Sequence, residues 1–145
     1  MTIFWVALGG ACGATFRYLL VKFLSAGALS FPVGTLVANV SGSFLIGLLA
    51  SSFFLDPKMS LDPAVSLDPA VSLDPAVSQG SKLFFQTGLL GAFTTFSAFS
   101  LETMQLWQAG HLKSAVMNIL LNVILCLLAV VLGMLLGTAV STKFR

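Results

Sequence analysis

The sequence predicts an all-α integral membrane protein with four transmembrane helices, and three observations carry that prediction. Hydrophobic residues make up 57% of the 145-residue chain and charged residues only 8%, against about 25% charged in soluble domains. The mean hydropathy is +1.01. The apolar residues fall into four runs, at 3–24, 33–55, 83–107 and 112–140, each long enough for the roughly 20 residues that a bilayer crossing takes.

The first run reads as a span and not as a cleaved leader, because no basic stretch precedes it and Arg17 interrupts it. Small residues stripe it at Gly9, Gly10, Gly13 and Ala14. The second run repeats the pattern with Ala38, Gly42, Ser43 and Gly47, and the fourth with Gly133 and Gly137. Small side chains about a turn apart let helix backbones approach closely. Cys12 and Cys126 lie in apolar runs and read as small packing residues more readily than as a disulfide. No stretch between the runs is large enough for a soluble domain, so residues 1–145 read as one transmembrane domain.

The net charge of +2 is too small to point to a nucleic-acid partner. Four spans place both termini on one side, which carries Lys58, Lys82, Lys143 and Arg145. The other side carries Lys22 and Lys113, with Arg17 nearer that end. Under the positive-inside rule so shallow a bias is what a chain inserting in both orientations shows. It is also what any short, sparsely charged chain shows.

Between the second and third spans, residues 56–80 form an inserted loop. Three copies of Ser-Leu-Asp-Pro-Ala-Val occupy 60–65, 66–71 and 72–77, and a partial copy stands at Leu55-Asp56-Pro57. Asp before Pro suits a helix start, but a proline every six residues forbids one continuous helix. The loop reads as stacked turns or short helical pieces, serving either as a partner-binding element or as a tolerated tandem duplication.

The third run is the most distinctive. Residues 88–100 read Gly-Leu-Leu-Gly-Ala-Phe-Thr-Thr-Phe-Ser-Ala-Phe-Ser. At membrane depth a glycine-rich break survives only when buried in protein or lining a cavity; the alternative is a seam of small residues between helices. Phe96 and Phe99, three apart, share one helical face. Polar groups elsewhere in the spans are costly unless paired or wetted. They include Arg17, Asn39, Glu102, Asn118 and Asn122. Asn118, towards the end of its span, reads as interhelical glue. Asn39 and Asn122 lie deeper, and their amides offer the donors that a small anion in a narrow passage needs. Aromatic rings have positive edges, so the phenylalanines could border such a passage, with Thr95 and Ser97 supplying hydroxyls. With no dense basic ring, the residues alone lead to a narrow anion path of undetermined identity.

Residues 31–39, Phe-Pro-Val-Gly-Thr-Leu-Val-Ala-Asn, followed by Gly42 and Gly47, resemble the second-helix signature of the Fluc (CrcB) fluoride channels. Residues 88–100 resemble their third-helix signature, and Gly9-Gly10 through Arg17-Tyr18 their first-helix opening. With Glu102 and Gln108-Ala109-Gly110 the likeness covers nearly everything except the repeat.

The resemblance implies an antiparallel, dual-topology homodimer in the inner cell membrane, with two fluoride pathways and a third helix broken near its middle. It implies a structural Na⁺ held by the backbone carbonyls of Gly91 and Thr94 from both subunits. Phe96, Phe99 and Asn39 match the pore residues, Asn122 a polar position beside the pathway, and Arg17 an arginine at an aqueous vestibule. Thr95 and Ser97 match a hydroxyl track. Ala98 stands where threonine is more usual and Cys126 where serine is common. The implied activity is passive export of fluoride, driven by the membrane potential and without enzymatic turnover.

Two other classes stay open. A small proton-coupled exporter needs an ionisable residue at the membrane centre, and the only carboxylate in the spans, Glu102, lies towards one end of the third. A non-transporting assembly protein would use the small-residue stripes for packing but leave Asn39, Phe96 and Phe99 without a purpose.

Overall fold

The computed structural model describes residues 2–24, 31–51 and 79–143. Every regular element among them is helical: α1 (Thr2–Leu24), α2 (Val33–Leu49), α3 (Gln79–Lys82), the π-helical α4 (Leu83–Leu90), α5 (Gly91–Phe93), α6 (Phe96–Gln108) and α7 (Leu112–Lys143). The hexapeptide repeat, nearly all of the 56–80 insertion and the last residues of the second apolar run lie outside the described residues.

Two helices are long and apolar enough to cross a bilayer: α1, with a mean hydropathy of 1.4, and the Leu112–Val140 part of α7, at 3.0. Both keep large apolar side chains on their outer faces, among them Phe16, Leu127 and Leu135. Hydrocarbon tolerates such faces as water does not, and the chain is a membrane protein. The shorter α2 spans 17 residues, and wider turns continue it through Ala50 and Ser51.

Glycine determines how the helices pair. α2 lies along α7, and α1 along α4 and α5. A Cβ on Gly47 would run into the backbone carbonyl of Val130, and one on Gly133 into that of Phe44. Gly9 and Gly13 meet the backbones of Phe84 and Leu89 in the same way. These contacts bring backbone against backbone, the approach that small residues permit between membrane helices.

The path from α3 to α6 is irregular. The Gly91 N–H reaches the Gln86 carbonyl five residues back, the spacing of a π-helix. Gly91 itself has helical angles, φ −62° and ψ −36°. The chain leaves helical geometry three residues later, at Thr94 (φ −83°, ψ 155°) and Thr95 (φ −153°, ψ 115°). β-Branched residues favour extended backbone. Thr95 also caps α6, its hydroxyl accepting the Ala98 N–H at 3.1 Å. α6 closes with a left-handed Gly110 at φ 80°. There His111 N–H bonds the Leu106 carbonyl and Gly110 N–H that of Trp107, a glycine-terminated Schellman cap.

Candidate functional site

The extended residues Thr94 and Thr95 would leave unpaired backbone groups in the bundle interior, and one side chain on α2 meets them. Asn39 Oδ1 accepts the Thr95 N–H at 2.8 Å, and Asn39 Nδ2 donates to the Thr95 carbonyl at 3.2 Å. The amide therefore stands in for the neighbouring backbone of a sheet, satisfying both groups of one residue.

The remaining Asn39 hydrogen extends this clamp into a relay. Asn39 Nδ2 also donates to Asn122 Oδ1 at 3.0 Å. Asn122 Nδ2 donates to Asn118, to its Oδ1 at 3.0 Å and its carbonyl at 3.1 Å. Asn118 Nδ2 donates to Thr103 Oγ1 at 2.9 Å, and the Thr103 hydroxyl donates to the Phe99 carbonyl at 2.7 Å. Asn118 and Asn122 are buried, at 1% and 5% exposure, so the pairing removes the penalty of leaving amides dry and unbonded.

Beside the relay lies a mostly apolar cavity of about 430 Å³, bordered by Asn39, Thr95, Phe96, Phe99, Asn122 and Cys126. The Phe96 and Phe99 rings lie 5.3 Å apart, tilted by 57°. Their environments differ sharply: Phe99 is 8% exposed and Phe96 79%. Gly91 and Thr94 also border this cavity.

A second, more polar cavity of about 550 Å³ opens on the other side of Thr95, with Arg17, Lys22, Thr95, Ser97 and Glu102 in its wall. Thr95 Oγ1 and Ser97 Oγ lie 3.1 Å apart. Arg17 Nη1 approaches the Thr94 carbonyl at 3.5 Å. The Thr35 hydroxyl donates to Glu102 Oε1 at 2.6 Å, while Glu102 Oε2 is buried without a hydrogen-bond partner among the described residues.

The structure thus gathers Asn39, Phe96, Phe99, Asn122 and Thr95 around one cavity and places Arg17 and Ser97 in the other, with Thr95 common to both. Both Asn39 hydrogens already bond protein oxygens, so in this arrangement its amide holds the chain and offers no free donor. Asn118, which reads from sequence as glue, belongs to the relay. Thr103 and Thr35 escape a reading of the sequence, where a lone threonine in an apolar helix gives no signal beyond its hydroxyl.

The carbonyls named for a cation fit in part. With the Thr95 N–H turned to Asn39, the Gly91 carbonyl lacks the donor that an uninterrupted α-helix would supply, and Gly91 is exposed. The Thr94 oxygen already faces the Arg17 guanidinium and can offer a cation only its second lone pair.

Residues 4–134 match the family model described as CrcB-like protein, Camphor Resistance (CrcB). The chain is 43% identical over 121 residues to the "Fluoride-specific ion channel FluC" of Magnetococcus marinus, covering 83% of this chain and 84% of that one. It is 41% identical over 120 residues to the protein of that name from Shewanella pealeana, covering 82% of each. Against the Rhodospirillum rubrum protein of that name it is 41% identical over 123 residues, covering 83% of this chain and 82% of that one. The matches take in more than four-fifths of this chain and of each relative, and the chain belongs to the CrcB family.

Proposed function

We propose that this chain is a fluoride-selective ion channel that lets cytoplasmic fluoride leave by passive electrodiffusion. The observation that carries the reading is the identity of 41–43%, over about four-fifths of each chain, to proteins named fluoride-specific ion channels. No bond is made or broken, so the chain is not an enzyme. The two cavities suit anion passage, one walled by aromatic rings, the other by Arg17, Lys22 and hydroxyls that outnumber its single carboxylate, Glu102. Cations near the mouth draw anions in, and ring edges with hydroxyls replace part of a small anion's hydration without trapping it.

The working unit is an antiparallel homodimer of dual topology in the inner membrane, each copy one four-span domain over residues 1–145 with 56–80 as an inserted loop. Support comes from the cavity that holds Phe96. Its ring is 79% exposed and Gly91 beside it is exposed, so a second copy would complete a wall that one chain leaves open. The extended Thr94–Thr95 pair would be the functional break of the third span. The Gly91 and Thr94 carbonyls would hold a structural Na⁺ there, since two oxygens replace little of a cation's hydration and a second copy doubles them.

A fluoride electrode reading efflux from liposomes tests the reading. Protein-dependent efflux that continues without any pH gradient is expected. Efflux that requires a proton gradient would favour the exporter, for which Glu102, bonded to Thr35 in the wall of the second cavity, is a poor coupling group.

A further inference from the structure

The relay starts and ends on the same helical turn. Its first contact is the backbone of Thr95, the cap of α6, and its last is the carbonyl of Phe99, one turn further on. Between them it crosses α2 through Asn39 and α7 through Asn122 and Asn118, returning to α6 at Thr103. The turn so enclosed carries both Phe96 and Phe99.

The polarity of the relay is fixed from both ends. The Thr103 hydroxyl has one hydrogen, which goes to the Phe99 carbonyl, so towards Asn118 it can only accept. Asn118 must then present Nδ2 to Thr103 and Oδ1 to Asn122. Asn122 answers with Nδ2 and is left with Oδ1 facing Asn39. At the other end the Thr95 N–H demands Asn39 Oδ1 and the Thr95 carbonyl demands Nδ2. The two demands agree, and each amide has one orientation that satisfies its neighbours.

We infer that Thr103 and Asn118, neither of which borders the ring-lined cavity, are positioning residues of the anion pathway. They tie the Asn122 and Asn39 amides back to α6 and thereby hold its first turn, with its phenylalanine pair, in register with the cavity. The inference rests on the fluoride-channel reading. Both residues are buried, Thr103 at 9% and Asn118 at 1% exposure, so they act through their partners. Without the Thr103 hydroxyl, Asn118 Nδ2 loses its acceptor, the relay is held from the Thr95 end alone, and the turn loses its second anchor.

The test compares Thr103→Val, which keeps the shape and removes the hydroxyl, with Thr103→Ser, which keeps the hydroxyl. Each is purified in parallel with the parent, reconstituted, and read for fluoride flux per folded protein and for the fluoride-to-chloride permeability ratio. Thr103→Val is expected to lower flux at least 10-fold and to lower the permeability ratio. Thr103→Ser is expected to stay within about 2-fold of the parent in both. Asn118→Leu should behave like Thr103→Val. A permeability ratio unchanged in folded Thr103→Val and Asn118→Leu would overturn the inference, since loosened packing can lower flux without altering which anion passes. Failure of both to fold while Thr103→Ser folds would overturn it too, because the contact would then hold the whole bundle and not the first turn of α6 in particular. A parent without fluoride flux would instead overturn the channel reading on which the inference stands.

Discussion

The two ends of the contact between α2 and α7 are built on opposite principles. At one end Gly47 and Gly133 bring backbone against backbone, with no room for a Cβ on either. At the other, Asn39 and Asn122 meet through a 3.0 Å amide hydrogen bond. Both ends join the same helices, and the amide end faces the extended Thr95 and borders the ring-lined cavity. Glycine is sufficient for packing. The amides are present because Thr95 has backbone groups to satisfy, and so the polar end marks where the chain does more than pack.

The comparison breaks most severely at the glycine end. Gly47→Leu would drive its side chain into the Val130 backbone, with no flexible neighbour to yield. A loss of about 3 kcal/mol or more is expected, seen as failure to recover a monodisperse peak on size exclusion. Recovery of a normal peak would mean that the seam is looser than described.

At the amide end, Asn39→Ala orphans the Thr95 N–H and carbonyl. Unsatisfied buried groups cost about 1–3 kcal/mol each, so a lower midpoint of thermal unfolding in detergent is expected, together with a loss of flux greater than 10-fold. A variant that keeps its flux would show that the clamp is dispensable.

The phenylalanine pair sharpens the contrast between holding and conducting. Phe96→Ile and Phe99→Ile both remove a ring edge and keep most of the apolar bulk. Both are expected to lower fluoride flux. Only Phe99→Ile should also lower stability, by about 1 kcal/mol, because Phe99 is buried and Phe96 is not. Equal stability losses would mean that a second copy buries Phe96 as tightly as the chain buries Phe99.

Gly91 differs from the seam glycines, for a Cβ there meets nothing nearer than the Gln86 carbonyl at 3.7 Å. Gly91→Leu is therefore expected to leave each chain folded and to weaken association of two copies, with loss of any Na⁺ dependence of that association. An unchanged dimer would remove the partner-facing and cation roles from this glycine. The smallest effect belongs to the repeat: deletion of residues 66–77 should leave flux within about 2-fold, since halving a flexible loop alters its closure by only about 0.6 kcal/mol. A large loss would make the loop part of the pathway.

These regions are unequally legible in the sequence. Helical class and membrane setting follow from composition and four apolar runs. Asn39, Asn122, Phe96 and Phe99 stand out because amides and paired rings in an apolar run require a reason. The π-helical stretch before Gly91, with its i→i+5 bonding, carries no residue pattern that marks it in the sequence. Glycines draw attention to Gly88 and Gly91 as the irregular point, while the extended residues are Thr94 and Thr95. Their β-branching and capping chemistry are readable but weaker cues than two glycines. Thr103 is hidden because its importance lies in a contact with Asn118, 15 residues away on another helix.

Recording in planar bilayers tests the central claim most directly, with a fluoride gradient at equal pH on both sides and an impermeant counter-ion. The account predicts a current that the protein alone produces and that reverses at the fluoride equilibrium potential. It also predicts no shift of that potential when a pH gradient is added. Absence of current, or a reversal potential that follows the proton gradient, would contradict it.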